Sequence, residues 1–298
     1  MFAALVLSGM GSVPLAKNSS KFLGNVVGAT VPASFDTYWN AIGTANGGEW
    51  NVIEATRGRY NFAIADAAAN HSKLSKIPFN LHALFYGAAE PGWVARLSAA
   101  EQKATVDDFI KAVGARYTPD FVEVAANPVH NPVAIRPALG GDGTTGYDWL
   151  VYLYKAARDA FPKAKLLVSE YDILTGNATL SAFLRVVNVL KNQKLVDGIG
   201  VTVQGGNLAR LNNVTVVASL NSLGGTGLPV YLTSLETAAA EATEVGVIER
   251  LFPLIWHNAA VKGVILNGYI PTLLTPGGEE REALRWLKAY LDSAAGKV

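Results

Sequence analysis

Residues 98–127 read SAAEQKATVDDFIKAVGARYTPDFVEVAAN, and the change of period inside this stretch decides the fold. From Ser98 to Tyr117 the apolar residues recur at helical spacing, whereas DFVEVAAN (120–127) is a short, β-rich apolar run of strand length. Working outward, the same pairing recurs. Strand-like runs lie at KFLGNVVG (21–28), more weakly at 38–44, at IPFNLHALFYG (77–87), AKLLVSEYDI (164–173), DGIGVTVQ (197–204), LPVYLTSLE (228–236) and VKGVILNGYI (261–270). Helical patterns fall between them, at GYDWLVYLYKAARDAF (146–161) and LSAFLRVVNVLKN (180–192), and EEREALRWLKAYLDSAA (279–295) follows the last run. Eight strands alternating with helices predict an α/β fold, a single-domain (β/α)8 TIM barrel over 1–298 with residues 1–20 as an N-terminal extension packing on it. Chemistry in such a barrel sits at the C-terminal ends of the strands.

The 298 residues are 50% hydrophobic and only 16% charged, which suits one large core. Twenty-five Lys and Arg against 24 Asp and Glu leave a net charge of +1 with no basic stripe, so binding to nucleic acid is not expected. The partner class that fits is a small, nearly neutral molecule. There is no cysteine, which removes disulfides, thiolate nucleophiles and Cys-based zinc sites together. MFAALVLSGMGSVPLA at the N-terminus has signal-peptide length but no basic residue before its apolar run. No stretch reaches the ~20 apolar residues of a membrane span. A monomer outside the membrane is expected, and the compartment stays open.

The Gly-rich stretches 139–146 and 223–227 lack phosphate-loop or dinucleotide spacing and read as loops. His71, His130 and His257 show no metal-ligand spacing, and neither metal nor cofactor is expected. Lys21, Lys165 and Lys262 fall at strand starts, the end away from the chemistry, which disfavours Schiff-base catalysis. Glu123 is the odd residue of its run, a lone carboxylate inside an apolar strand that ends on the amide Asn127.

Taken together and in order, KFLGN, YWN, EATRGRYNF, PFNLHALFYGAAEPGW, VAANPVHNP, ALGGDGTTGYDW, FPKAKLL, EYDI, LVDGIGV, GLPVYLTSLE and FPLIWHNAAVKGVILNGYI resemble the family 10 glycoside hydrolases, the endo-xylanases. The resemblance implies the barrel fold over nearly the whole chain. It also implies that the usual chemistry is missing. A retaining glycosidase needs two carboxyl groups about 5–5.5 Å apart. The position matching the family's acid/base is Asn127, and the position matching its nucleophile is Ser234. Other sugar-lining positions differ too: Glu49 stands for a Lys, Thr202 and Gln204 for Gln and His, and Asn267 for a Trp. Native xylanase activity is therefore expected to be absent.

Concentration of the changes on the pocket implies a reshaped site, and the chain is similar to barrels of this family rebuilt as Kemp eliminases. In that reading Glu123, with Ala125 and Asn127 on its face by the strand period of two, is a general base whose pKa rises through desolvation. Trp50, Phe85 or Tyr86 would wall a small flat aromatic substrate or transition-state analogue. Asn127, Ser234, Thr202, Gln204 and Asn267 are the donor candidates. Glu49 is the rival base, and Glu123 has a plainer reading as a core acid. Glu170 and Glu236 read as structural. His82 matches a sugar-contacting His and reads as a retained core histidine, or as the base of an esterase with Ser234 as nucleophile. The alternative to an eliminase is an inactive barrel that only binds xylan or an apolar small molecule.

Overall fold

The computed structural model describes residues 13–237 and 241–298. Most of the N-terminal apolar run, residues 1–12, lies outside them. Eight strands form one closed parallel barrel in chain order: β1 Phe22–Val27, β2 Ile42–Thr44, β3 Phe79–Leu81, β4 Phe121–Ala126, β5 Lys165–Tyr171, β6 Gly198–Val203, β7 Val230–Glu236 and β8 Val261–Asn267. β8 closes on β1 through Phe22 opposite Gly263 and Asn25 opposite Leu266. Every strand-like run of the sequence carries a strand, and the four strongest helical patterns become helices Ala99–Arg116, Asp148–Ala160, Ala178–Asn192 and Glu282–Asp292. The first of these is fixed by a capping box, in which Ser98 and Glu101 satisfy each other's backbone N–H groups. No helix among the described residues is long and apolar enough to cross a membrane.

Two cores follow from the closure. Outside the barrel a continuous apolar layer joins strands to helices, and Trp50, Phe85 and Phe109 meet in it at 5.5–5.8 Å between ring centroids. Inside, Phe121, Leu167 and Tyr231 pack with Phe22 into a separate floor near the strand starts. Above this floor the interior turns polar, with Asn80, Glu123, Ser169 and Thr233 all buried. Residues 13–19 lie beside helix Phe35–Tyr38 and the last residues of the chain, with the Leu15 amide bonded to the Tyr38 carbonyl.

The third run is shorter as a strand than its sequence predicts. β3 stops at Leu81 because His82 leaves the ladder: its N–H donates to Thr44 Oγ1 at 3.0 Å, and the same hydroxyl donates to the His82 carbonyl at 2.8 Å. The His82–Ala83 peptide is cis. Pairing then resumes, with Leu84 and Phe85 amides bonded to the Glu123 and Val124 carbonyls.

β4 and β7 each carry a register shift at the level of the polar interior. On β4, Glu123 faces Leu167 but Ala125 already faces Val168, so Val124 is an extra residue. On β7, Val201 faces Leu232 while Thr202 faces Ser234.

Candidate functional site at the C-terminal mouth of the barrel

Glu123 lies at the centre of the polar interior and is fully buried. Its Oε1 accepts from Asn80 Nδ2 at 2.7 Å, and its Oε2 accepts from Thr233 Oγ1 at 2.9 Å. His82 Nδ1 lies 2.9 Å from Oε1, close but poorly aligned, so the contact is an ion pair more than a directed hydrogen bond. Burial alone would raise the Glu123 pKa, but the His82 charge and the converging donors outweigh it and hold the carboxyl below its usual range. This corrects the expectation of a desolvated, strengthened base. A carboxylate fixed by donors on both oxygens is a weaker base than a free one.

The bulge corrects a second expectation. With Val124 extra, Ala126 pairs with Ser169 and takes the face that a strict period of two gives to Ala125. Ala125 instead belongs to the outer apolar layer, bridged to Phe85. The alanines therefore do not form a row of space above Glu123.

His82 follows β3 at the mouth. Besides the Thr44 clamp, its carbonyl accepts from the Gly48 amide at 2.9 Å, and a side chain on Gly48 would stand 2.6 Å from that oxygen. Close backbone approach is why a glycine is needed there. Burial would lower the His82 pKa, but the Glu123 and Glu49 carboxylates raise it above the ordinary value. Glu49, half-buried at the start of the turn Trp50–Ile53, is pushed up by burial, which the His82 charge only partly offsets.

The strand ends complete the mouth. Asn127, directly after β4, sits at φ +56°, its amide bonded to the Ser169 carbonyl, with its buried Oδ1 unpartnered. Ser234 on β7 accepts from Asn267 Nδ2 of β8 at 3.1 Å. Thr202 has a buried hydroxyl without a partner, and Gln204 is exposed beyond β6. Tyr86 is half-buried, but Trp50 and Phe85 are each only 1% exposed. Trp50 donates its indole N–H to Glu54 at 2.9 Å and packs on Phe109. Those two rings are core, not a wall for a substrate, because their faces are already covered.

The remaining acids are committed to the scaffold. Glu170 accepts from the Val129 and Tyr171 amides and contacts His130 Nδ1 at 2.9 Å, and Glu236 accepts from the Gly205 amide. No group of three or more metal-ligating side chains occurs among the described residues. Asn80, Thr233 and Thr44 are site residues that sequence reading missed. Asn80 and His82 share the alternate positions of one run, the signal that would have paired them.

Residues 5–269 match the family model described as glycosyl hydrolase family 10. Among curated relatives, endo-1,4-β-xylanase B of Cellvibrio japonicus is 25% identical over 284 residues, covering 90% of this chain and 45% of its own. Endo-1,4-β-xylanase A of Fusarium oxysporum is 28% identical over 168 residues, covering 52% and 49%. The chain thus spans about half the length of these relatives. Xylanase 10B of Thermotoga petrophila, solved with xylobiose, superposes with a TM-score of 0.77 at 18% identity, covering 94% of this chain and 97% of that one. The family 10 enzyme of Paenibacillus barcinonensis superposes at 0.78 and 16% identity, covering 94% and 97%. By the family match along most of its length, this chain belongs to glycosyl hydrolase family 10.

Proposed function

We propose that this barrel binds a xylan-type saccharide at its C-terminal mouth without hydrolysing it. The saccharide class comes from the family, whose relatives are xylanases. The support for an absence of hydrolysis is that Asn127, directly after β4, and Ser234, within β7, stand where the resemblance puts the family's acid/base and nucleophile. Retaining hydrolysis needs an acid and a nucleophile carboxylate facing each other across the scissile bond. An amide and a hydroxyl supply neither. The nearby Glu170 and Glu236 accept backbone N–H groups instead. Calorimetric titration with xylo-oligosaccharides, run beside a reducing-sugar assay on xylan, tests the proposal. Binding without sugar release is the expected pair of results. Release above a buffer control would overturn it, and so would no heat of binding.

A second reading is that the mouth is a xylanase barrel rebuilt to remove a proton from a flat aromatic carbon acid. The feature favouring it is the grouping of Glu49, His82 and buried Glu123 at the mouth, with His82 Nδ1 2.9 Å from Glu123; burial pushes the Glu49 carboxyl up, and the two carboxylates raise His82 against the lowering effect of its own burial. Turnover of 5-nitrobenzisoxazole above the buffer rate is the expected result, and its absence sinks this reading.

A further inference from the structure

We propose that the proton acceptor of the mouth is His82 Nε2, with Glu123 as its positioning residue. This rests on the second reading above and changes which side chain does the chemistry. Glu123 cannot easily leave its place: Asn80 and Thr233 hold its two oxygens from β3 and β7, and it has no exposed surface. One ring nitrogen of His82, Nδ1, faces this carboxylate. The other, Nε2, has no hydrogen-bond partner among the described residues, and the side chain keeps 17% of its surface exposed. A buried carboxylate beside one ring nitrogen stabilises by its charge the imidazolium that forms when the other nitrogen takes a proton.

The backbone of His82 is firmly fixed. Thr44 grips both its N–H and its carbonyl, and the Gly48 amide takes the same carbonyl. A general base gains from such fixing because the reacting geometry is prepared before substrate arrives. The other charged group facing the ring is Glu49, from the loop after β2. Glu49 and Glu123 together favour the charged ring, so the base is active only above its own raised pKa.

With 5-nitrobenzisoxazole the step balances as follows. Nε2 takes the ring C–H proton, the C–H electron pair forms the third C–N bond of a nitrile, and the N–O bond breaks with its pair leaving on the phenolate. Water then takes the proton from the imidazolium. No oxidant or metal enters.

The test combines turnover with NMR titration of His82 in the full chain. Expected are a rate that rises with pH through the His82 midpoint, at least tenfold loss in His82→Gln, and a rate profile in Glu123→Gln displaced to lower pH. In that variant the NMR midpoint falls by about one pH unit or more, since an adjacent negative charge is gone. Thr233→Val, which frees one oxygen of Glu123 without touching the histidine, should displace both curves less. It serves in place of Glu123→Gln if that variant fails to fold. Full turnover in His82→Gln overturns the assignment of the base. A His82 midpoint that neither variant moves overturns the role of Glu123. No turnover in the parent overturns the catalytic part together with the second reading, even where the NMR coupling persists.

Discussion

At the residue scale, Asn127 joins an uncommon left-handed backbone conformation to a short polar side chain that suits it. An amide at the end of an apolar strand reads as a missing acid by resemblance, and the structure adds a backbone reason for a short polar side chain. Asn127 sits at φ +56°, in the left-handed region that Asn tolerates better than most residues. Its conformation is imposed from both sides, through its amide to Ser169 and its carbonyl to the Asn131 amide. Asn127→Ala should therefore cost about 1 kcal/mol in a urea unfolding curve, while Asn127→Gly should cost nothing or stabilise slightly. Equal losses in the two variants would remove the conformational explanation. Glu123 was legible as an unusual acid, but its character was not. Whether a buried carboxylate becomes a strong base or a fixed anion depends on its donors, and here they come from β3 and β7, about forty and about a hundred and ten residues away along the chain.

At the element scale, the strands were legible because apolar runs of the right length announce themselves, while their faces were not. One extra residue, Val124, reverses the alternation between Glu123 and Ala125, and nothing in a single apolar run marks where a bulge falls. The shortness of β3 has a similar origin, since the hydroxyl of Thr44 replaces the ladder at His82. β6 makes the opposite point, because the glycines of DGIGV have a spatial reason. A Cβ on Gly200 would stand 2.6 Å from Ser169 Cβ, 3.1 Å from Thr233 Oγ1 and 3.3 Å from Glu123 Oε2. Gly200→Ala should thus destabilise the barrel by about 1–3 kcal/mol through overpacking. It should also lower the His82 midpoint by pushing Glu123 aside, with denaturation and NMR as the two readouts. A variant as stable as the parent would mean that the interior has slack that the distances do not show.

At the scale of the whole molecule, stability should depend on pH in a way set by the mouth. The Glu123 pKa is held below its ordinary 4.5, so its contribution is present above that value and is lost as pH falls through the lowered one. The His82 pKa is raised above its ordinary 6.5, so its contribution is complete below that value and is lost as pH rises through the raised one. Glu49, Glu90 and Glu170 are raised by burial and also favour the acid side, each resisting ionisation in the folded chain. The thermal midpoint should therefore peak between about pH 4.5 and about pH 6.5 and fall toward about pH 8. A curve flat from neutral to alkaline pH would contradict this assignment of charges. The barrel topology was the most legible level of all, since eight repeats of one pattern leave few ways to close. The aromatic floor of Phe22, Phe121 and Tyr231, with Leu167, gives that closure a further effect. It fills the strand-start end of the interior, which makes the mouth, where His82 keeps some exposure, the doorway by which protons would reach His82 and Glu123. A ligand filling that doorway would act as a stopper, and the protonation state present at the moment of binding would be trapped until the ligand departs.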